Sequence, residues 1–319
     1  MPPDPGVTAA DLEAGLQAAL RGAPGDPAGL FGPTSPIWRV NGEAVIFLGA
    51  ARALLLQLAH PWVAEGIVRH SRALADPVGR FHRTFGLVYP MLFGTVGQAF
   101  GAARRLHRRH AVVTGTLPQA AGRWPAGSPY RADDRAAMAW VQATLADTAL
   151  RVYELALPPL DAAERERYWQ DTRRLAGLFG LSGDDLPVDW AGFQAAFART
   201  LDLTGTPGGE LAVTDAARTV ARALFHDVKP WLRQPAWALD LTASLLPPVL
   251  RDGFGLTWDA ASEGRVARLT GRLARLYSRL PRAVRQVGPW QEAQARLAGR
   301  APSWAVRANN RIWLGRDLL

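Results

Sequence analysis

The 319-residue sequence predicts a single all-α domain. Three observations carry that expectation. No stretch sustains the apolar–polar alternation of a half-buried strand, whereas apolar residues recur at helical spacing in segment after segment. Proline and glycine punctuate those segments at helix-length intervals. No internal repeat or linker divides the chain, although its length alone would admit one large domain or two modest ones.

Residues 9–22 read as a short amphipathic helix, followed by a Pro/Gly-rich loop from Gly22 to Pro36. The apolar run "AVIFLGAARALLLQLA" (44–59) reads as a buried central helix, interrupted by Arg52 and Gln57. Pro61 ends or bends it, because proline lacks the N–H that a helix interior needs. Helices follow at about 62–74, from Pro77 toward Gly94 with a kink at Pro90, and at about 96–113. "GTLPQAAGRWPAGSPY" (115–130) is a long loop full of turn residues, the kind of segment that often serves as a lid. A long helix then starts with Asp133 or Asp134 near its N-cap and stops at Pro158–Pro159. The next begins near Asp161 and ends on a capping Gly180. Helices near 189–204, 211–225, 235–246 and 262–279 come after, and "SWAVRANNRIWLG" closes the chain as a tail. Residues 1–36 are thus a lead-in, and 37–319 the main all-α domain.

Composition narrows the chemistry. A hydrophobic content of 48% with 20% charged residues suits a folded globular chain. The absence of cysteine excludes disulfides, thiolate metal sites, iron–sulfur clusters and a cysteine nucleophile; any metal must be held by His, Asp, Glu, Tyr or Met. Net charge is +9, yet Lys229 is the only lysine, so arginine makes up the rest of the 37 basic residues, a skew that fits codon bias. No block of five or six like charges occurs and no aromatic-interleaved basic motif, so nucleic acid is not an expected partner. No run approaches the roughly 18 apolar residues of a membrane span, and the N-terminus lacks the basic and apolar regions of a secretory signal. A cytoplasmic location without an integral membrane segment is the expectation.

Several common sites are missing. There is no G-x-x-x-x-G-K loop; the sole lysine sits in "HDVKPW". "GFGLTW" lacks the third glycine of a dinucleotide fingerprint, and no G-x-S-x-G elbow or H-E-x-x-H pair exists. No histidine has a glutamate three positions before it, which removes the usual carboxylate-bridged di-iron bundle. An all-helical chain of this kind, with histidines in apolar surroundings, points to haem or to no cofactor.

The histidines cluster with an arginine face. In "LHRRHAVVTG", His107 and His110 share an apolar stripe with Ala103 and Leu106, while Arg104, Arg105, Arg108 and Arg109 splay outward. His70 falls on the stripe of Val63, Ile67 and Leu74, and His60 precedes the Pro61 bend. In "GRFHRTFG", Arg80, Arg83 and Thr84 fall at i, i+3 and i+4, bringing two guanidiniums and a hydroxyl to one face suited to carboxylates or polarised oxygen. The alternative is a set of hydrogen-bonded core histidines beside a solvated helix start.

The ordered motifs "LLLQLAHPWVAEGIVRHS", "DPVGRFHRTFGLVYPMLFGT", "HRRHAVVTG" and "SPYRADDRAAMAWVQATLADTAL" resemble the oxygenase family of latex-clearing proteins (rubber oxygenases) and MpaB-type enzymes, over about residues 37–250. The resemblance implies a globin-like helical core holding a b-type haem. It also implies dioxygen-dependent cleavage of carbon–carbon double bonds in a hydrophobic, isoprenoid-like substrate. It maps the proximal iron ligand to His110, with His107 as the alternative, and the distal arginine and threonine to Arg80 and Thr84. His70 would serve as a pocket acid or base, and His60 as a further cofactor contact. The family's lysine is replaced by Arg83, whose permanently protonated guanidinium is a very poor iron ligand. A glutamate proposed as base corresponds to Glu65, which the helical wheel puts off the inward stripe. Two readings compete with the oxygenase: a haem-free helical protein that binds a hydrophobic ligand or a protein partner, and a non-catalytic haem sensor or carrier.

Overall fold

The computed structural model describes residues 6–70, 76–225 and 234–319. The end of the expected second helix at Leu74 and the lysine segment "HDVKPW" lie outside the described residues. Local hydrogen bonding sets most helix starts. Helix α1 (Ala9–Leu20) opens with a reciprocal cap, in which the Thr8 hydroxyl accepts from the Asp11 N–H and the Asp11 carboxylate accepts from the Thr8 N–H. After α2 (Pro36–Gly42), the expected single apolar helix is split into a 3₁₀ turn (Ala44–Gly49) and α3 (Ala50–Leu58). Gly49 sits at the junction, where an added Cβ would press on Thr148 and Val152. Pro61 then opens α4 (Pro61–His70), and the chain bends by 103° there.

Helices α5 (Pro77–Phe93) and α6 (Val96–His110) form a hairpin joined by Gly94 and Thr95. Asp76 caps α5 by accepting from the Gly79 N–H, and Thr95 and Gln98 cap α6 reciprocally. The expected open loop carries a small antiparallel ribbon, β1 (Thr114–Thr116) on β2 (Pro129–Arg131). Strands of three residues are too short to show an alternating pattern, which is why the sequence did not reveal them.

Helix α7 (Arg135–Ala156) is the hub: the 3₁₀ turn, α2, α3 and α8 (Ala162–Gly177) all pack on it. Of the two candidate caps, Asp134 is the one whose side chain accepts from the Ala137 N–H. The remaining helices are α9 (Trp190–Asp202), α10 (Asp215–Phe225), α11 (Ala236–Leu245), α12 (Pro248–Gly253), α13 (Ala260–Leu276), α14 (Arg282–Arg285), α15 (Gly288–Leu297) and α16 (Trp304–Leu314). The closing "tail" is therefore helix α16, begun by the Ser303 cap and ended by Gly315 in the left-handed region at φ +67°. Among the described residues no single helix is long and apolar enough to cross a membrane.

Trp38, Leu55, Leu56, Tyr168 and Trp169 are fully buried in one continuous core, and Leu12 and Leu16 of the N-terminal helix join it. Helix α1 approaches α8 so closely that a Cβ on Gly15 would collide with the Gly177 carbonyl oxygen. Gly15→Ala is accordingly expected to cost about 1–3 kcal/mol through overpacking, read as a lowered denaturation midpoint with unchanged helix content. One ion pair lies deep in this core. Arg52, whose side chain is 2% exposed, contacts Asp147 at 2.6 Å and donates to the Leu245 carbonyl (2.8 Å) and the Thr148 hydroxyl.

Candidate functional site

A cavity of about 400 Å³ lies between the 3₁₀ turn and helices α3, α5, α7 and α8. Its walls are mainly apolar. Phe81, Phe85, Tyr89 and Phe93 recur every four residues along α5, and the first two face the cavity. Phe47 meets Phe85 edge-on at 4.9 Å and is backed by Trp313 of α16 at 4.4 Å. These rings were missed by reading only charged and metal-ligating residues, although the four-residue spacing along α5 was visible.

Arg80 and Thr84, one turn apart on α5, both line the cavity. Arg80 is the only charged group among its described lining residues, and among the described residues it makes no ion pair. Burial disfavours its charge, and neighbouring Arg83 adds repulsion, so its pKa lies below the usual arginine value. A half-buried cation without a carboxylate is a ready partner for an anionic or strongly polar group.

Arg83 does not share that face. It pairs with Asp76 at 3.0 Å and lines a separate groove on the outer side of the hairpin. The i, i+3 spacing suggested a common face, but α5 divides between a cavity side and a solvent side, and the Asp76 cap draws Arg83 to the latter. The expectation that Arg83 belongs to the site is corrected.

The four candidate histidines fall in three places, and among the described residues no histidine lines the cavity. His60 is 1% exposed at the α3–α4 bend, packed against Trp62 (5.9 Å) and Trp124 (6.1 Å), with Nδ1 unpartnered. Burial pushes its pKa down to about 3, with Arg123 adding to the shift. It is packed as a core histidine, outside the described lining of the cavity. Because the folded state holds His60 neutral while the unfolded chain titrates near 6.5, the unfolded state takes up the extra proton. Stability from this residue is complete above pH 6.5 and falls as pH drops toward about 3. A denaturation midpoint that stays flat across this window would contradict the assignment.

His70 is exposed, not inward: it ends α4, and its Nε2 lies 3.3 Å from the Tyr130 hydroxyl. The α4 wheel failed here because the polar β2 strand, rather than an apolar core, covers the last turn. The same strand explains Glu65, which is buried and bonded to Arg69 at 2.9 Å, contrary to the wheel. His107 and His110 are half-buried on the last turn of α6. Burial lowers the His110 pKa to about 4; nearby Asp133 opposes the shift and His107 adds to it. Its imidazole is therefore neutral at physiological pH and able to bind a metal through a ring nitrogen. Since α5 and α6 run antiparallel, the Arg80–Thr84 turn and the His107–His110 turn occupy the same end of the hairpin, and Arg83 and Arg109 meet in the outer groove there.

Among the described residues no three His, Asp or Glu side chains converge as a metal cage. An iron here would need most of its donors from elsewhere, as a tetrapyrrole provides, with one imidazole from the protein. The neutral His110 imidazole is of the donor type that a b-type haem would need, although it stands outside the described lining of the cavity that carries Arg80 and the apolar walls.

Helical architecture, an aromatic-walled cavity and one arginine among its described lining residues define the candidate site. Residues 38–276 match the family model "ER-bound oxygenase mpaB/B'/Rubber oxygenase, catalytic domain", and the chain belongs to that family. No curated protein and no solved structure matches it.

Proposed function

We propose that this oxygenase uses haem b and dioxygen to cleave or oxidise a carbon–carbon double bond in a hydrophobic, isoprenoid-like substrate. The observation that carries this reading is the apolar cavity lined by Arg80 and Thr84 at the hairpin end where His110 holds a neutral imidazole. His110 would hold the iron, with His107 one turn earlier as the alternative. Bound haem supplies the activation of dioxygen that side chains cannot perform. Arg80 would hold a haem propionate or orient polarised oxygen by charge-assisted hydrogen bonds, with the Thr84 hydroxyl as a second donor. The phenylalanine walls would exclude water and hold the alkene. His70, directed to Tyr130, is given no acid–base role.

A second reading, a haem-free protein binding a hydrophobic ligand, is favoured by the lack of histidine in the described cavity lining. The visible spectrum of protein supplied with haem separates the two. A Soret band that persists through gel filtration, with carbonyl products from a polyprenyl or terpenoid alkene under oxygen, supports the oxygenase; no band supports the haem-free protein. Arg83→Lys is expected to leave that spectrum unchanged, because the side chain lies on the solvent side of α5. A shift to six-coordinate low-spin iron would return residue 83 to the pocket.

A further inference from the structure

On the face of α5 opposite the cavity, a groove of about 520 Å³ runs between the hairpin and the segment after α16. Arginines enter it from three elements: Arg83 from α5, Arg105 and Arg109 from successive turns of α6, and Arg316. Arg83 is neutralised by Asp76, and Arg316 reaches the Gly86 carbonyl oxygen at 3.4 Å. Among the described residues Arg105 and Arg109 have no acid partner, whereas Arg104 on the same helix is paired with Glu13 at 2.7 Å. His82 also faces the groove, with Nε2 at 3.1 Å from the Ile312 carbonyl oxygen. The main-chain oxygen of Leu319, which also lines the groove, accepts from Gln98 at 3.3 Å.

Arg316 is attracted by Glu292, but the convergent guanidiniums of Arg105 and Arg109 still repel one another, and a ligand with several negative charges relieves that repulsion. Their planar forks match the tetrahedral oxygens of phosphate, and a groove of this size admits two linked phosphate groups. We propose that the Arg105–Arg109–Arg316 groove is a binding site for a phosphate-bearing anion, separate from the oxygenase cavity. Its occupant is either a soluble phosphate or diphosphate or the phosphate headgroup of a lipid, and the two share the same recognition chemistry.

The test uses the full chain at low ionic strength, with inorganic diphosphate followed by calorimetry and phosphatidylcholine vesicles with or without phosphatidic acid followed by co-sedimentation. Arg105→Gln and Arg109→Gln should each weaken binding about tenfold, the loss expected for one charge-assisted hydrogen bond. Arg108→Gln, exposed on the same helix but outside the groove, should change it less than about twofold. Diphosphate binding with this pattern assigns a soluble ligand. Binding confined to phosphatidic acid vesicles, with the same pattern, assigns a lipid headgroup. No binding of either probe, or equal loss in Arg108→Gln, overturns the proposal. Unchanged thermal midpoints establish that the variants are folded.

Discussion

His110→Ala is expected to give a folded protein that no longer retains haem. The imidazole is neutral because burial outweighs the attraction of Asp133, so a nitrogen lone pair is available at physiological pH without a deprotonation cost. Removing groups that merely orient a metal ligand costs about 10–100-fold in affinity, and loss of the ligand itself should exceed that. The expected result is a Soret band for wild type and for His82→Ala, and none for His110→Ala after gel filtration. His82 is a suitable control because its Nε2 is engaged with Ile312 on the outer side of α5. If His107→Ala loses haem while His110→Ala keeps it, the ligand lies one helical turn earlier. If both keep it, haem does not bind at the end of α6.

Asp147→Ala is expected to be the most damaging single change to stability. It would strip Arg52, nearly inaccessible to water, of its only ion-pair partner among the described residues and leave two neutral acceptors, the Thr148 hydroxyl and the Leu245 carbonyl. Breaking one side of a buried pair typically costs about 3–5 kcal/mol, because the remaining charge stays desolvated. For a chain of this size that corresponds to roughly 10 °C in the denaturation midpoint. The double replacement Arg52→Met with Asp147→Leu should recover most of the loss, since apolar groups of similar volume need no compensating charge. A shift below about 1 kcal/mol for Asp147→Ala would show that water reaches Arg52.

The helical architecture was legible because caps and breakers act locally. Thr8, Thr95, Asp161 and the prolines at 61 and 77 mark helix starts within a few residues of where they occur. What escaped depends on contacts distant in sequence. The break at Gly49 reflects crowding by α7, and the β1–β2 ribbon needs two short segments to meet. The site was legible in part for the same reason. A helical wheel placed Arg80 and Thr84 together, but it could not tell which neighbour covers each face. It therefore misplaced Arg83, His70 and Glu65, whose surroundings are set by Asp76, Tyr130 and Arg69.

The Phe47–Trp313 contact joins the cavity wall to a helix beyond residue 276, the last matched by the family model. The shared portion carries Arg80, Thr84 and His110, whereas the ring that braces Phe47 comes from sequence the family does not define. A change after residue 276 could thus alter which molecules fit the cavity without touching the positions proposed to handle oxygen. Trimming this chain to its shared portion would remove a wall support along with the apparent excess.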